Sequence, residues 1–291
     1  MERNIRKTLR KYAFNAYSRL AWHLSAPWHC GRQADRGGQR CEMLIVVIAY
    51  NSEHLIGQQI QLIKENITDK NFRLIVADNS VSSRRRAAIR QICENHGITY
   101  IPVPRHITCL THYQCAISHG AALNWVYYHY LLQQSPLRFA LIDHDIFPTK
   151  PYSLTGALGD RDFYGVARIF NGEWYLWPGW CIYQFDKFTT APDFLPRFTK
   201  KNFLDTGGGN YRLFYCRYDV GKVAFPEVKT WRHKLTQGLS RRCDIYHSDY
   251  LQSVDNAWLH LINGANYANI PGKEDTISQI LSSIMQQRWH P

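Results

Sequence analysis

The sequence predicts an α/β fold in which a mostly parallel central sheet is flanked by helices. From residue 43 onward, apolar runs rich in β-branched residues alternate with segments of helical periodicity. The apolar runs are continuous, which is typical of parallel strands that helices cover on both faces. Ligands of such sheets bind at the carboxyl ends of the strands, so the polar residues that follow each strand are the candidate site residues.

Four strands alternate with helices in the first half of the chain. The predicted strands cover residues 43–50, 72–80, 98–104 and 139–145. Asn51 or Ser52 is placed to cap the first helix. A serine opens the second helix and Gly97 ends it, and a long third helix fills most of residues 118–133.

The second half of the chain is less regular. Residues 162–170 predict a strand, and residues 171–185 form an aromatic block that Pro178 and Gly179 interrupt. Residues 275–289 predict a final amphipathic helix. The chain has no internal repeat, and its length suits one large domain or two.

Positive charge is concentrated at the start of the chain. The protein carries 35 Lys and Arg against 23 Asp and Glu, and nine of the basic residues fall in the first forty positions. Such a chain is attracted to phosphate groups of nucleic acid, anionic lipid or a nucleotide ligand. Residues 4–29 combine a cationic helical face with an apolar one, which is typical of a helix lying on an anionic membrane. An ordinary helix packed on the domain explains the same pattern, and residues 31–40 then form a linker.

Motif patterns argue against several classes of protein. Walker A, GxGxxG and GxSxG patterns are absent, which argues against ATPases, dehydrogenases and hydrolases. Zinc-finger, RNP and helix-turn-helix patterns are absent too, so no nucleic-acid partner is expected despite the charge. The eight cysteines form no CxxC pair, and no secretory signal or apolar stretch of about 20 residues is recognised. A reducing cytoplasm with free thiols is therefore expected.

Two carboxylates, Asp143 and Asp145, follow a buried apolar strand. In an extended segment, residues two apart face the same way, about 7 Å from Cα to Cα, so both are expected to reach one cation while His144 points elsewhere. Carboxylates select Mg²⁺ or Mn²⁺, which would neutralise a departing diphosphate as a Lewis acid. The alternative is a pair of loop carboxylates in solvent.

Four segments carry a resemblance to a known family. “IVVIAYNSEHLIGQQI”, “LIVADNSVSS”, “GITYIPVP” and “FALIDHDIFP” resemble, in order and spacing, the successive blocks of GT-A fold glycosyltransferases, close to family 2 of bacteria. The resemblance covers Met43 to Pro151. It implies a nucleotide-sugar donor, expected to be a UDP-sugar, with Mn²⁺ or Mg²⁺ on Asp143 and Asp145. The donor-binding residues that it implies are Ala49, Tyr50, Asn51, Asp78, Asn79 and Asp143.

The resemblance also directs attention to a third metal ligand and a catalytic base. A histidine near the C-terminal end completes the metal sphere in many such enzymes, and His260 is the first candidate, with His247 second. An inverting transferase needs a carboxylate that takes the proton of the acceptor hydroxyl. Asp205 is chosen because it opens a glycine run where a substrate could approach the backbone, although it could instead cap a helix. Asp255 and Glu173 remain alternatives, since the family's usual ED pair is absent.

The aromatic block suits a sugar acceptor. Sugars offer apolar C–H faces to aromatic rings, so Trp174, Trp177 and Trp180 are expected to line the acceptor site. The alternative for these three is core packing beneath a loop.

The resemblance implies a metal-dependent glycosyltransferase that inverts the configuration of the transferred sugar. Its expected divisions are residues 1–40, a basic amphipathic segment and linker; 41–151, a nucleotide-sugar-binding half; 152–270, an acceptor-binding half; and 271–291, a C-terminal helix. It would glycosylate a glycan or lipid-linked acceptor in cell-surface polysaccharide or lipopolysaccharide synthesis, peripherally on the cytoplasmic face of the cell membrane. The alternatives are a nucleotidyltransferase acting on sugar phosphates, a basic nucleic-acid-binding protein, and a binding module without activity.

Overall fold

The computed structural model describes residues 2–26, 40–109, 115–199, 202–232, 250–262 and 277–282. The strands are β1 (Met43–Ala49), β2 (Phe72–Asp78), β3 (Thr99–Pro102), β4 (Arg138–Asp143), β5 (Ile146–Pro148), β6 (Phe163–Phe170), β7 (Glu173–Gln184), β8 (Arg197–Phe198), β9 (Phe203–Leu204), β10 (Val228–Arg232), β11 (Tyr250–Val254) and β12 (Trp258–Leu261). The α-helices are α1 (Glu2–Ser25), α2 (Glu53–Asn66), α3 (Ser83–Asn95), α4 (Arg105–Thr108), α5 (Cys115–Val126), α6 (Leu132–Gln134), α7 (Leu154–Leu158) and α8 (Asn210–Leu213). Residues 277–282 are also helical.

The central sheet has the strand order β3-β2-β1-β4-β7-β6. Strands β3, β2, β1 and β4 are parallel, whereas β7 runs antiparallel to β4 and β6 antiparallel to β7. Helices connect the parallel strands, so the predicted α/β architecture with a mostly parallel sheet is confirmed. The carboxyl ends of β1, β2 and β4 lie at one edge, where a ligand of such a sheet is expected.

A second, antiparallel sheet has the order β10-β11-β12-β5. Strand β5 begins only three residues after β4 ends, so the turn at His144 and Asp145 links the two sheets. The strands on either side of residue 151 join the same sheets, because β7 pairs with β4 and β12 pairs with β5. The two expected halves of the chain therefore share their sheets.

The core of the first half follows the predicted periodicity. Every residue of β1 is buried, as a strand covered on both faces requires. Helix α2 buries its apolar stripe, and the Ser82 hydroxyl caps α3 by accepting a hydrogen bond from the backbone N–H of Arg85. Gly97 ends α3 with a φ of +65°, a left-handed conformation that glycine adopts without steric cost. The predicted long helix is continuous from α5 through a π-helical turn (Tyr127–Leu131) into α6.

Helix α1 packs on the domain along one face. Phe14 contacts the rings of Phe198 and Phe203 at centroid distances of 4.7 and 5.4 Å, and Trp22 contacts Tyr128. Ala21 is fully buried. The structure therefore agrees with the packed-helix alternative for this segment. The opposite face nevertheless remains in solvent, where Tyr17, Leu20 and Leu24 are 36%, 49% and 37% exposed. In the described part of the chain, no helix has both the length and the apolar character needed to cross a membrane.

The aromatic block forms the long strand β7, and Pro178 and Gly179 make an irregularity within it. Gly165 of β6 pairs with Cys181, whereas Ala167 pairs with Leu176, so β7 carries extra residues between the two pairs. Such bulges redirect side chains and are frequent beside functional sites. In the C-terminal segment, residues 277–282 form a helix that packs through Ile277, Ile280 and Leu281. Ile284 and Met285 of the predicted helix lie outside the described residues.

Candidate functional site

A cavity of about 330 Å³ opens at the carboxyl ends of the parallel strands. Its walls come from β1, β2, β4, helix α5, strands β6 and β7, and β12 with the residue that follows it. The lining residues are Ile48, Tyr50, Asn79, Cys115, Ser118, His119, Asp143, His144, Asp145, Arg168, Trp177, His260 and Ile262. Asp143 and Asp145 thus line one cavity, as the sequence predicts.

Asp143 is held by a histidine from helix α5. The Nε2 atom of His119 lies 3.2 Å from Oδ1 of Asp143. Burial disfavours the charged form of each group and is the largest single effect on the pKa of each. The charge of the partner and the hydrogen bond to it, with smaller contributions from neighbouring charged groups, together outweigh burial, so the pKa of His119 is raised and the pKa of Asp143 is lowered. The carboxylate is therefore ionised and His119 is its protonated partner, so the protein supplies its own cation at this strand end.

Asp145 lies beside a histidine from the second sheet. His260 pairs in register with Ile146, which brings its Nε2 atom to 3.7 Å from Oδ1 of Asp145. The Nδ1 atom of His260 lies 3.0 Å from Oε1 of Gln252, and because an amide oxygen only accepts, this nitrogen carries the proton. Burial lowers the pKa of His260, with smaller opposing contributions from the two aspartates. His260 is then neutral at pH 7, and its Nε2 lone pair is available to a ligand.

These side chains fit a divalent cation chemically. Two carboxylates and a neutral imidazole suit Mg²⁺ or Mn²⁺, and the second ring nitrogen of a metal-bound histidine usually donates to an oriented acceptor such as Gln252. At metal–ligand distances of about 2.1 Å, two ligands of one octahedral ion lie about 3 to 4 Å apart. The distance from His260 to Asp145 satisfies that range. Among the described residues, however, no three His, Cys, Asp or Glu side chains are already arranged to hold a metal. A bound cation therefore requires a rearrangement of side chains, with His119 the first group to be displaced from Asp143.

The turn after β4 differs from the predicted extended segment. Strand β4 ends at Asp143 and the next two residues form a turn, so His144 lines the cavity instead of pointing elsewhere. Its Nδ1 atom donates to the carbonyl oxygen of Ile48, 3.1 Å away. The Nε2 atom is buried without a hydrogen-bond partner in the described part of the chain. The prediction for His144 was wrong because hydrogen bonding to β1 and the start of β5 bend the chain at this point.

Trp177 is the residue of the aromatic block that reaches the cavity. Its indole ring lies across Gly179, where an added Cβ would be 2.1 Å from Cζ2 of the ring and 2.6 Å from Oδ2 of Asp143. The ring also contacts His260, with centroids 4.7 Å apart, and the guanidinium of Arg168, 5.3 Å from its centroid. Trp177 thus orders the groups around both carboxylates.

The structure corrects the prediction for the two neighbouring tryptophans. Trp174 is 2% exposed and packs against Phe163 and Tyr215, and Trp180 is 1% exposed and packs against Trp258. Neither ring lines the cavity, because the irregularity in β7 turns only Trp177 toward it. For Trp174 and Trp180, the core-packing alternative describes the structure.

The predicted donor-binding residues divide between the cavity and its support. Tyr50 and Asn79 line the cavity, and the Asn79 side chain donates to the Ser118 hydroxyl. The carboxylate of Asp78 is fully buried instead, where it accepts hydrogen bonds from the Ser80 backbone N–H and the Tyr100 hydroxyl, both at 2.8 Å. Burial raises the pKa of Tyr100, and the charge of Asp78 and the hydrogen bond to it raise that pKa further.

Ala49 and Asn51 also lie outside the lining. Ala49 is buried, and its carbonyl oxygen accepts a hydrogen bond from the backbone N–H of Asn79. Asn51 has a φ of +48°, and its backbone N–H donates to the Ser80 hydroxyl. Together with Asp78, these residues shape the ends of β1 and β2 rather than the cavity wall.

Asp205 is exposed and stands apart from the cavity lining. Its Oδ1 accepts the backbone N–H of Thr206, and helix α8 begins only at Asn210, so Asp205 closes a turn and does not cap that helix. The glycine run has a packing role, since an added Cβ on Gly209 would lie 2.5 Å from the carbonyl oxygen of Asp193. The prediction that the glycines leave room for a substrate was therefore wrong at Gly209, where the backbone of Asp193 fills the space. The charge of Asp205 still contributes to raising the pKa of His119.

The other two candidates for the catalytic base make hydrogen bonds within the protein. Asp255 accepts hydrogen bonds from the hydroxyls of Tyr152 and Tyr164, and Glu173 accepts from Thr199 and Asn202. His247, the second metal-ligand candidate, lies outside the described residues.

Sequence reasoning missed several residues that line the cavity, among them three that carry reactive or charged groups. His119 and Cys115 come from the first turns of α5, which begin at the same edge as the strand ends, and Arg168 comes from the edge strand β6. The position of α5 offered a signal, because a helix that leads back into a parallel sheet starts near the carboxyl end of the preceding strand. Nothing local to β6 marks Arg168.

No known protein family and no curated protein sequence matches the chain. Solved structures similar to it include the galactosyltransferase LgtC in complex with donor and acceptor sugar analogs, at 18% identity and a TM-score of 0.36. The mannosyltransferase PcManGT from Pyrobaculum calidifontis, in complex with GDP-Man and Mn²⁺, is similar at 19% identity and a TM-score of 0.35. The bifunctional glycosyltransferase WbbM is similar at 14% identity and a TM-score of 0.37.

These similarities are partial. The three matches cover 50%, 61% and 54% of this chain, and 59%, 54% and 34% of the lengths of LgtC, PcManGT and WbbM. TM-scores below 0.5 do not establish a common fold, so the similarities assign neither a family nor an activity to the chain.

Proposed function

We propose that the protein is a glycosyltransferase of GT-A architecture that takes its sugar from a nucleotide-sugar donor. The observation that carries the proposal is the meeting of Asp143, Asp145 and His260 in one cavity at the carboxyl ends of a parallel sheet. Carboxylates concentrated beside a neutral imidazole favour a divalent cation, and such a cation binds diphosphates. The cavity opens where α/β sheets bind nucleotides.

Different residues of the cavity would bind different portions of the donor. Tyr50 and Asn79 line the side formed by β1 and β2, and there they would contact the nucleoside. Asp143, Asp145 and His260 would hold Mn²⁺ or Mg²⁺, which when bound supplies Lewis-acid neutralisation of the diphosphate that leaves. UDP as the nucleotide and membership of family 2 are proposed on the sequence resemblance.

His119 and Asp205 extend the proposal to the acceptor. His119 keeps the carboxylate of Asp143 compensated in the free protein and would release it when the donor complex binds. Asp205 is an exposed carboxylate whose charge acts on His119, and it is proposed as the base that takes the acceptor proton in an inverting transfer. This assignment requires the acceptor to enter from the side of the 205–209 turn.

The outward face of α1 supports a proposal about location. The exposed Tyr17, Leu20 and Leu24, together with the nine Lys and Arg among the first forty positions of the sequence, suit binding to an anionic membrane surface. A lipid-linked or glycan acceptor in surface polysaccharide or lipopolysaccharide synthesis, on the cytoplasmic face of the membrane, is proposed on the sequence resemblance.

A panel of nucleotide sugars tests the proposed function. Thermal stabilisation and release of free nucleotide are measured for UDP-, GDP-, CDP- and dTDP-sugars, with and without Mn²⁺. One nucleotide series is expected to stabilise the protein and to be hydrolysed slowly in a Mn²⁺-dependent manner. A protein that neither binds nor hydrolyses any of them would contradict the proposal.

A further inference from the structure

The side chain of Arg168 presents a cation to the candidate active site. It is half-buried and lines the same cavity as Asp143 and Asp145. Among the described residues, none accepts a hydrogen bond from its guanidinium or forms an ion pair with it. A guanidinium has five N–H donors, and positive groups withdrawn from bulk water are normally matched by an acceptor.

The guanidinium is held in place by an aromatic ring. Its central carbon lies 5.3 Å from the centroid of Trp177, and the ring is itself fixed over Gly179, where there is no room for a Cβ. Contact with an aromatic ring orders an arginine while leaving the N–H groups at its edge free to donate. Arg168 is therefore positioned for a ligand before any ligand binds.

The strand order locates this cation relative to the nucleotide. Tyr50 and Asn79 follow β1 and β2, Asp143 ends β4, and Arg168 lies on β6, the edge strand beyond β7. Neighbouring strands are about 4.8 Å apart, so β6 lies about 10 Å from β4 on the side away from β1. Arg168 is thus on the side where the proposed donor would place its sugar and receive the acceptor.

The charges of the cavity make this position selective. His119 compensates Asp143 in the free protein, and the proposed divalent cation would compensate both Asp143 and Asp145 when the donor binds. Arg168, on the sugar side, has no acceptor among the described residues and can therefore neutralise a negative charge carried by the sugar. We propose that Arg168 binds an anionic substituent, a carboxylate or a phosphate, carried by a sugar substrate in this cavity. This inference rests on the proposed glycosyltransferase function and narrows its substrates to acidic sugars. Arginine pairs with such groups through two parallel hydrogen bonds, which gives geometric selectivity.

The anionic substituent could belong to the donor sugar or to the acceptor, and binding measurements distinguish the two. In the donor arm, calorimetry with Mn²⁺ compares UDP-glucuronic acid with UDP-glucose. In the acceptor arm, protein loaded with UDP and Mn²⁺ is titrated with glucuronic acid, glucose 6-phosphate and glucose. In one arm, we expect the acidic ligand to bind at least about 10-fold more tightly than its neutral counterpart.

Variants of Arg168 identify the residue responsible. Arg168→Gln should abolish the preference for the acidic ligand while leaving UDP affinity unchanged, and Arg168→Lys should retain part of it. Arg161→Gln is the matched control, because Arg161 also lies 5.3 Å from a ring centroid, that of Tyr164, but does not line the cavity. Melting temperatures of all variants establish that they are folded.

The outcomes separate failure of this inference from failure of the proposed function. If UDP binds but neither arm shows a preference that Arg168→Gln removes, the inference is wrong and the proposed function stands. If Arg168→Gln weakens UDP, acidic and neutral ligands equally, the arginine contacts the diphosphate and the inference is also wrong. If no nucleotide sugar of the panel binds the wild-type protein, the proposed function fails and the inference fails with it.

Discussion

The imidazole of His260 and the carboxylate of Asp145 meet 3.7 Å apart, at the junction of the two sheets. The contact exists because β12 pairs antiparallel with β5 immediately after the turn that follows β4. Gln252 on β11 fixes the proton of His260 on the nitrogen that faces away from Asp145. The second sheet therefore has a direct part in the candidate site, since it supplies and orients a ligand for the strand end of the first.

Gly179 provides a sharp test of how Trp177 and Asp143 are arranged. In Gly179→Ala, the new Cβ would lie 2.1 Å from the Trp177 ring, so the ring or the strand must move. We expect destabilisation of about 1–3 kcal/mol, together with loss of Mn²⁺-dependent nucleotide binding. Urea unfolding and calorimetry measure the two effects.

Gly57→Ala is the matched control for this variant. Gly57 lies within α2, and its added Cβ would meet only Cγ2 of Ile92, at 3.6 Å. Alanine there should stabilise the protein by about 0.5–1 kcal/mol, because it restricts the unfolded chain and favours the helix. If the two alanine variants are equally stable, the ring of Trp177 does not lie against Gly179.

The ion pair between His119 and Asp143 predicts a pH-dependent stability. The folded protein raises the pKa of His119, so the pair stabilises fully below the unfolded value of about 6.5 and loses its contribution as pH rises through the folded pKa. The lowered pKa of Asp143 keeps its contribution above about 3.8, and the contribution is lost as pH falls through its folded pKa. The stability advantage of wild type over His119→Gln should therefore be larger at pH 5.5 than at pH 8.5 in urea unfolding.

His129 gives a control of opposite sign. Burial lowers the pKa of His129, so protonation below about pH 6.5 opposes folding. The difference between wild type and His129→Gln should then shift against the wild type as pH falls. If His119→Gln behaves like His129→Gln, the proposed charge of His119 is wrong.

Cysteine labelling tests the cavity without any assay of activity. Cys115 is exposed and lines the cavity, whereas Cys93 and Cys181 are buried, and burial raises the pKa of the Cys93 thiol to about 12. Iodoacetamide at pH 7.5 should modify Cys115 and spare the two buried thiols, because the thiolate is the reactive form. A nucleotide sugar with Mn²⁺ should slow labelling of Cys115 several-fold but leave Cys216, an exposed cysteine outside the lining, unaffected. Mass spectrometry resolves the sites, and unchanged labelling of Cys115 under saturating ligand would place the ligand elsewhere.

The outward face of α1 predicts membrane binding that can be removed without unfolding the helix. Leu20→Ser with Leu24→Ser changes side chains that are 49% and 37% exposed, and should strongly reduce co-sedimentation with vesicles of phosphatidylglycerol and phosphatidylcholine. Leu137→Ser, at a site that is 40% exposed outside α1, should leave it unchanged. Deletion of residues 1–40 is a poorer test, because Ala21 is buried in the core. If the double variant co-sediments with vesicles as well as the wild type does, the outward face of α1 is not a membrane-binding surface.

The sequence predicted the parts of the fold that local patterns determine. Continuous apolar runs located β1, β2 and β4, and the polar residues after β4 located the two aspartates of the cavity. Spacing could not show the turn at His144, because the hydrogen bond from His144 to β1 bends a segment whose residue pattern predicts an extended strand. Long-range pairing of β12 with β5 was equally invisible, so His260 could be named only from the resemblance.

Side-chain direction in β7 was also beyond the sequence. The extra residues at Pro178 and Gly179 reset the alternation of the strand, so Trp177 faces the cavity while Trp174 and Trp180 enter the core. The period of 2 that predicts strand faces fails at such a bulge. Groups from other elements, His119 on α5 and Arg168 on β6, reach the site through tertiary packing alone.

The most direct measurement is the affinity for UDP, by calorimetry with and without Mn²⁺, in wild type, Asp145→Asn and His260→Ala. If Asp143, Asp145 and His260 together hold a cation that bridges to a diphosphate, Mn²⁺ should strengthen UDP binding to the wild type at least about 10-fold, and either substitution should remove most of that gain without changing the melting temperature appreciably. UDP affinity that does not respond to Mn²⁺, or that responds equally in all three proteins, would contradict the assignment.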